Sequence, residues 1–162
     1  MTEGMSDKLL SIYMNDHLAG AIAGGELAKR AAGNNEGTPL GTFLARLQEE
    51  INEDRAALES IMDDLDIKKS AVKGAGAWLF EKAGRLKLNG QLTGYSDLSR
   101  VVELEGLSLG VEGKLSLWRS LHRVHDRYPA LRLVDLEKLI ERAERQRGEL
   151  EGFRREAADT AF

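Results

Sequence analysis

Between Leu40 and Leu65 the apolar residues Leu40, Leu44, Leu47, Ile51, Leu58, Ile61 and Leu65 recur at intervals of three, four and seven. On a helix of 3.6 residues per turn these positions form one continuous stripe. A stripe this long must be buried against something of equal length, which constrains the chain to pack helix on helix. Thr38 followed by Pro39 supplies a cap and a first-turn proline at its start, and the Asp63 to Asp66 stretch closes it. The gap in the stripe falls at Asp54.

Three further segments carry the same period. The first starts at Ser6 or Asp7, either of which caps a helix, and runs through Leu10, Tyr13, His17, Ala21, Gly24, Ala28 and Ala31 to a stop at Gly33-Asn34-Asn35. The third is capped by Asp97 and carries Val101, Leu104, Val111, Leu115 and Trp118 towards His125, until Tyr128-Pro129 breaks it. The fourth opens at Asp135 with Leu136, Ile140, Ala143, Leu150, Phe153 and Ala157 and ends in a tail expected to fray. No segment alternates like a strand for long, so the expected class is all-α. Between the second and third segments, residues 70–88 read as a shorter amphipathic helix with Val72, Ala75, Leu79, Phe80, Ala83 and Leu86 on one side, stopped by Asn89-Gly90.

A chain of 162 residues fits a single domain spanning 1–162, and at that length a core can stabilise the fold without disulfides, which a cysteine-free chain does not form. The absence of cysteine suits a reducing cytoplasm. A net charge of −4 argues against non-specific nucleic-acid binding, whose affinity scales with the number of Lys and Arg contacts to phosphate. No run of about 18 apolar residues offers a membrane span, and Met1 to Lys8 has no apolar segment leading to a cleavage site, so the expectation is a soluble, unexported protein.

Helices of about 25 residues are about 38 Å long at 1.5 Å per residue. Short loops make neighbours antiparallel, while the crossover of about thirty residues lets the second and third helices run parallel. In this element order the chain resembles the ferritin-like superfamily over most of its length. The resemblance implies a ferritin-like four-helix bundle with a long helical crossover between helices 2 and 3. Members with a di-metal centre use a Glu on each of two helices and Glu-x-x-His on the other two, and this chain contains no Glu-x-x-His. At the helix midpoints it offers Glu50-Ile51-Asn52-Glu53 with Asp54, Glu144-Arg145-Gln146-Arg147, Glu105 with Glu112, and His17 with Glu26. Read through the resemblance, His17, Glu50, Asp54 and Glu112 are the candidate ligands for iron or manganese. Arg147 at the same level points the other way, because a guanidinium neutralises buried carboxylates through forked hydrogen bonds and leaves a structural polar layer in place of a metal.

Gly20 and Gly24, with Gly106, Gly110 and Gly113, each cost up to about 1 kcal/mol relative to alanine inside a helix. Close backbone approach of helices 1 and 3 offsets that cost in one reading, and space left for a ligand explains it in the other. Gly106-Leu107-Ser108-Leu109-Gly110 matches G-x-S-x-G but lies mid-helix with no preceding strand, so the hydrolase reading is rejected. His122 and His125, beside Asp126, have metal-ligand spacing but sit in a last helical turn, where the helix dipole favours them for capping. The basic stretch over 68–87 (Lys68, Lys69, Lys73, Lys82, Arg85, Lys87) with Trp78-Leu79-Phe80 is expected to complement the acidic second helix, the sharper alternative being peripheral contact with anionic lipid. The mixed charge of the fourth helix reads as a solvated face, whose apolar stripe would also serve a homodimer. No phosphate-cradling G-x-x-x-x-G-K is present. The chain therefore reads as a non-enzymatic structural or interaction protein without a cofactor, the alternative being a metal-binding carboxylate bundle with storage or redox chemistry.

Overall fold

In a computed structural model, which describes residues 2–70 and 94–162, the chain forms four long helices: α1 (Thr2–Asn34), α2 (Pro39–Asp64), α3 (Asp97–Val124) and α4 (Leu136–Ala161). Two 3-10 turns, His125–Arg127 and Pro129–Leu133, join α3 to α4. Among the described residues there is no strand, and no helix is long and apolar enough to cross a membrane. The amphipathic helix expected over 70–88, with Lys73, Trp78, Lys82, Arg85 and Lys87, lies outside the described residues.

The helix boundaries follow from local chemistry. Thr38 is extended at φ −113°, and its Oγ1 accepts from the Gly41 amide at 3.0 Å while donating to the Asn35 carbonyl at 2.6 Å. This turn folds so tightly that a Cβ on Gly41 would lie 2.0 Å from the Asn35 oxygen, which makes glycine obligatory there. At the other end of α2, Asp66 takes a left-handed φ of 54°, and its amide bonds to the Asp63 carbonyl while that of Ile67 reaches Met62 at 2.8 Å. That pairing satisfies the last carbonyls of the helix and packs Ile67 onto the core.

Two boundaries differ from expectation. α1 begins at Thr2 and not at Ser6 or Asp7, since nothing from residue 2 to Met5 breaks a helix apart from Gly4, at about 1 kcal/mol. The cap of α3 is Ser96, whose Oγ accepts from the Ser99 amide at 3.0 Å while Ser99 Oγ accepts from the Ser96 amide at 3.3 Å. Asp97 becomes the first helical residue, where its charge favours the helix N-terminus. Asp135 caps α4 as expected, accepting from the Lys138 amide at 3.0 Å. The helix then continues to Ala161.

The topology is visible in which side chains share a core. One apolar cluster joins Ala28 and Ala31 of α1, Leu44, Leu47 and Ile51 of α2, Leu104, Leu107 and Val111 of α3, and Leu150 and Ala157 of α4. The other joins Met14 and Leu18, Leu58 and Ile61, Leu115 and Trp118, and Leu139 and Ala143 from the same four helices. Both clusters pair the early half of α2 with the early half of α3 and late with late, so these two helices run in one direction and α1 and α4 run against them. The α4 stripe is buried within this core, while Met5, Leu9 and Ile12 of α1 remain 63%, 60% and 51% exposed. The uncovered apolar face is therefore on α1, and not on α4 where a homodimer seam was expected.

Candidate functional site

A layer of polar side chains separates the two apolar clusters. Asp54 on α2, Lys114 on α3 and Gln146 on α4 each stand three residues after one core position and four before the next: Ile51 and Leu58, Val111 and Trp118, Ala143 and Leu150. The helical period therefore turns all three inward. Asp54 is 2% exposed, Lys114 13%. Lys114 Nζ donates to Asp54 Oδ2 at 2.6 Å and to Gln146 Oε1 at 2.5 Å. Arg142 of α4 approaches Asp54 Oδ1 at 2.8 Å and also binds Glu53. Glu50 accepts from Gln146 Nε2 at 2.7 Å and from Arg145 at 2.8 Å. Burial pulls the Lys114 ammonium below its ordinary pKa, and Asp54 opposes that pull. For Glu50, burial works to raise the carboxyl, but the Gln146 hydrogen bond and the Arg145 guanidinium outweigh it and hold the group below its ordinary range.

The four candidate metal ligands do not form one set. Asp54 and Glu50 belong to this layer, each already bound to cationic or amide partners. Glu112 is half exposed and pairs with Arg147 at 3.0 Å on the surface. His17 is half-buried with its ring edge-on to Tyr13 at 4.6 Å, and burial lowers its pKa while Asp16 raises it. Among the described residues no three His, Cys, Asp or Glu side chains come together as a metal site. The inward cation is Lys114 and not Arg147, which sits one position past the inward Gln146. An ammonium at this level fits poorly with a metal: a divalent ion about 4 Å away would be repelled by about 8 kcal/mol at an effective dielectric of 20.

The same seam corrects one expectation about charge. The acidic face of α2 pairs with α4 through Glu50 to Arg145 and Glu53 to Arg142, and Arg46 of α2 adds a pair to Glu149. The charges of α4 thus form a seam between helices where a solvated face was expected. Of the basic stretch over 68–87, the described Lys69 does meet α2, at 2.7 Å from Asp63.

Beside the polar layer, between α1 and α3, lies a cavity of about 800 Å³. Its walls carry five glycines of the two helices, Gly20, Gly24, Gly106, Gly110 and Gly113. A Cβ on Gly20, Gly24, Gly110 or Gly113 would meet no described atom within 4 Å, and only one on Gly106 touches anything, Leu27 Cδ2 at 3.2 Å. The close-packed glycine seam is therefore not formed between α1 and α3: α1 joins the core through Met14 and Leu18 on one side and Ala28 and Ala31 on the other, and between them Gly20 and Gly24 meet no described residue. Lys114, Asp54 and Trp118 form the polar end of the cavity, and Arg30 and Glu103 stand at the opposite end.

Several residues that hold this site in place gave no motif in the sequence. Asn35, buried at the end of α1, donates to Tyr95 Oη at 3.0 Å and accepts from Arg100 Nε at 2.9 Å, tying α1 to the start of α3. Glu103, 4% exposed, accepts from Arg30 at 3.2 Å. Burial raises its carboxyl pKa despite the Tyr95 hydroxyl and Arg30. Burial likewise pushes the Tyr95 phenol up to about 12. Asn15 donates to the Lys68 carbonyl at 3.0 Å and accepts from the Ser70 amide at 2.8 Å, fixing the chain where it leaves α2. Each reads in sequence as an ordinary helix or turn residue. Only the polar interruption of an apolar stripe, visible at Glu103 between Val101 and Leu104, offered a signal.

Two sequence motifs resolve into structural roles. Ser108 of the G-x-S-x-G match donates to the Leu104 carbonyl at 2.8 Å inside α3. His125 is the C-cap of α3, its ring stacked 5.2 Å from that of His122. Comparisons with protein-family models, with curated proteins and with solved structures gave no match. Among the described residues the fold and site define the class on their own terms: an all-α arrangement of four long helices with a lysine-centred ion cluster in its core and an apolar cavity beside it.

Proposed function

We propose that this chain is a non-enzymatic binding protein on a ferritin-like bundle, in which a resident ammonium stands where related bundles hold metal. The observation that carries the reading is Lys114 Nζ between Asp54 and Gln146. A protonated lysine at the level of the acids neutralises them without a redox-active ion. The shared direction of α2 and α3 supports the ferritin-like arrangement, which needs a crossover along the bundle. In the same reading, self-association uses the α1 face of Met5, Leu9 and Ile12 that the bundle leaves uncovered.

Metal content tests it. Untagged protein purified without chelator, reconstituted anaerobically with ferrous iron or manganese and desalted, is expected to retain far less than one ion per chain by plasma mass spectrometry, with an unchanged melting temperature. Stoichiometric metal, lost in Asp54→Ala, would overturn the reading in favour of a carboxylate metal bundle.

A further inference from the structure

Lys114 presents a donor that the described residues do not satisfy. An ammonium carries three hydrogens, and Lys114 uses two of them, on Asp54 and Gln146. The third has no acceptor among the described residues. The Lys114 side chain lines the α1–α3 cavity. Asp54, the nearest acceptor, is already shared by two cations. What is missing at this end is an acceptor, and a charged one suits an ammonium best.

The rest of the cavity asks for the opposite chemistry. Leu27, Ile51, Leu58, Leu107, Val111 and Leu117 wall it with apolar surface. The glycines open it further, since no described atom comes within 4 Å of a Cβ on Gly20, Gly24, Gly110 or Gly113. From Lys114 back to Val102 the trough follows twelve residues of α3, about 18 Å at 1.5 Å per residue. A sugar or nucleotide would bring many polar groups into this mostly apolar trough, and burying them unpaired is unfavourable. An unbranched hydrocarbon chain brings none. A volume of about 800 Å³, mostly apolar with a few convergent polar groups, has the character of a small-molecule site between bundle helices.

We propose that the α1–α3 cavity binds a straight-chain fatty acid as its carboxylate, the head group on Lys114 and the chain laid along the glycines towards Leu27. Asp16, Glu26 and Glu105 stand exposed at the mouth, where water screens their charges. Lys114, being enclosed, dominates head-group choice. The inference rests on the reading of Lys114 as a resident ammonium and deepens it by naming the ligand class.

Isothermal titration of the delipidated full-length chain with hexadecanoate and with hexadecan-1-ol tests it. Hexadecanoate is expected to bind one to one, and the alcohol at least tenfold more weakly. Lys114→Met should weaken the acid at least tenfold and leave the alcohol unchanged. Should that variant not fold, the paired variants Gly24→Leu and Gly110→Leu stand in: each is expected to melt no lower than wild type and to lose hexadecanoate. Equal affinity for acid and alcohol would overturn the head-group assignment. Gly110→Leu melting several degrees lower, with no hexadecanoate bound by wild type, would show that other parts of the chain or a second copy fill the cavity, and would overturn the proposal. Stoichiometric iron in wild type would overturn the lysine reading and this inference together, whereas metal-free protein that ignores hexadecanoate overturns this inference alone.

Discussion

At the scale of single residues, His17 and Glu50 give stability two separate windows of pH dependence below neutrality. Burial sets the His17 pKa below its ordinary 6.5. Between the folded value and 6.5 the unfolded chain therefore binds more protons than the folded one, and stability rises with pH across that window. Glu50 is held below its ordinary 4.5, so its contribution is complete above 4.5 and is lost as pH falls through the folded value. Melting curves taken from pH 7 down to pH 3 should show a first decline starting near 6.5 and a second below 4.5, and His17→Gln should flatten only the first. A larger effect attends Asp54. Asp54→Leu leaves Lys114 and Arg142 as buried like charges, and breaking a buried pair in this way costs about 3–5 kcal/mol. Urea denaturation should show that loss, with a smaller one for Lys114→Met, since Arg142 still covers the aspartate. Asp54 itself was legible in the sequence because it fills the gap in an otherwise apolar stripe. Lys114 and Gln146 obey the same three-before, four-after spacing, yet on α3 and α4 the stripe is broken by glycines and charges and the spacing does not stand out. Glu112 and Arg147, each one position past an inward residue, were therefore read as core when they are surface.

At the scale of the elements, glycine means opposite things at two places in this fold. Gly41 lies where the α1–α2 turn brings the Asn35 carbonyl to 2.0 Å from any Cβ, so Gly41→Ala must open the turn. It is expected to destabilise by more than the roughly 1 kcal/mol that losing the Thr38 cap would cost. A Cβ on Gly110 meets no described atom within 4 Å, and Gly110→Ala is expected to raise stability by up to about 1 kcal/mol through helix propensity alone. Thermal melts of the two variants should move in opposite directions. Sequence reading did well with α2 and α4, whose caps Thr38 and Asp135 and apolar stripes are local features. It did less well with the start of α3, because Ser96 and Asp97 are both good capping residues and only the reciprocal bond to Ser99 decides between them. The glycines of α1 and α3 were harder still. Whether small residues draw two helices together or hold them apart is fixed by Met14, Leu18, Ala28 and Ala31 on either side, which is tertiary information.

At the scale of the whole molecule, the direction of the helices was legible because loop length dictates it: four residues between α1 and α2 force an antiparallel hairpin, and the long passage from α2 to α3 permits them to run alike. The pairing across hairpins was not, since the ion seam between α2 and α4 depends on which charges face one another. Each hairpin, α1 with α2 and α3 with α4, contributes residues to both apolar clusters and to the polar layer. Neither has a complete core alone, and the two are complementary. Residues 1–70 and 94–162 produced as separate polypeptides should therefore reassemble when mixed, with helical circular dichroism recovered and a melting temperature that climbs with concentration. Folding would then be a second-order reaction, and the two halves, fused to other proteins, would report their proximity.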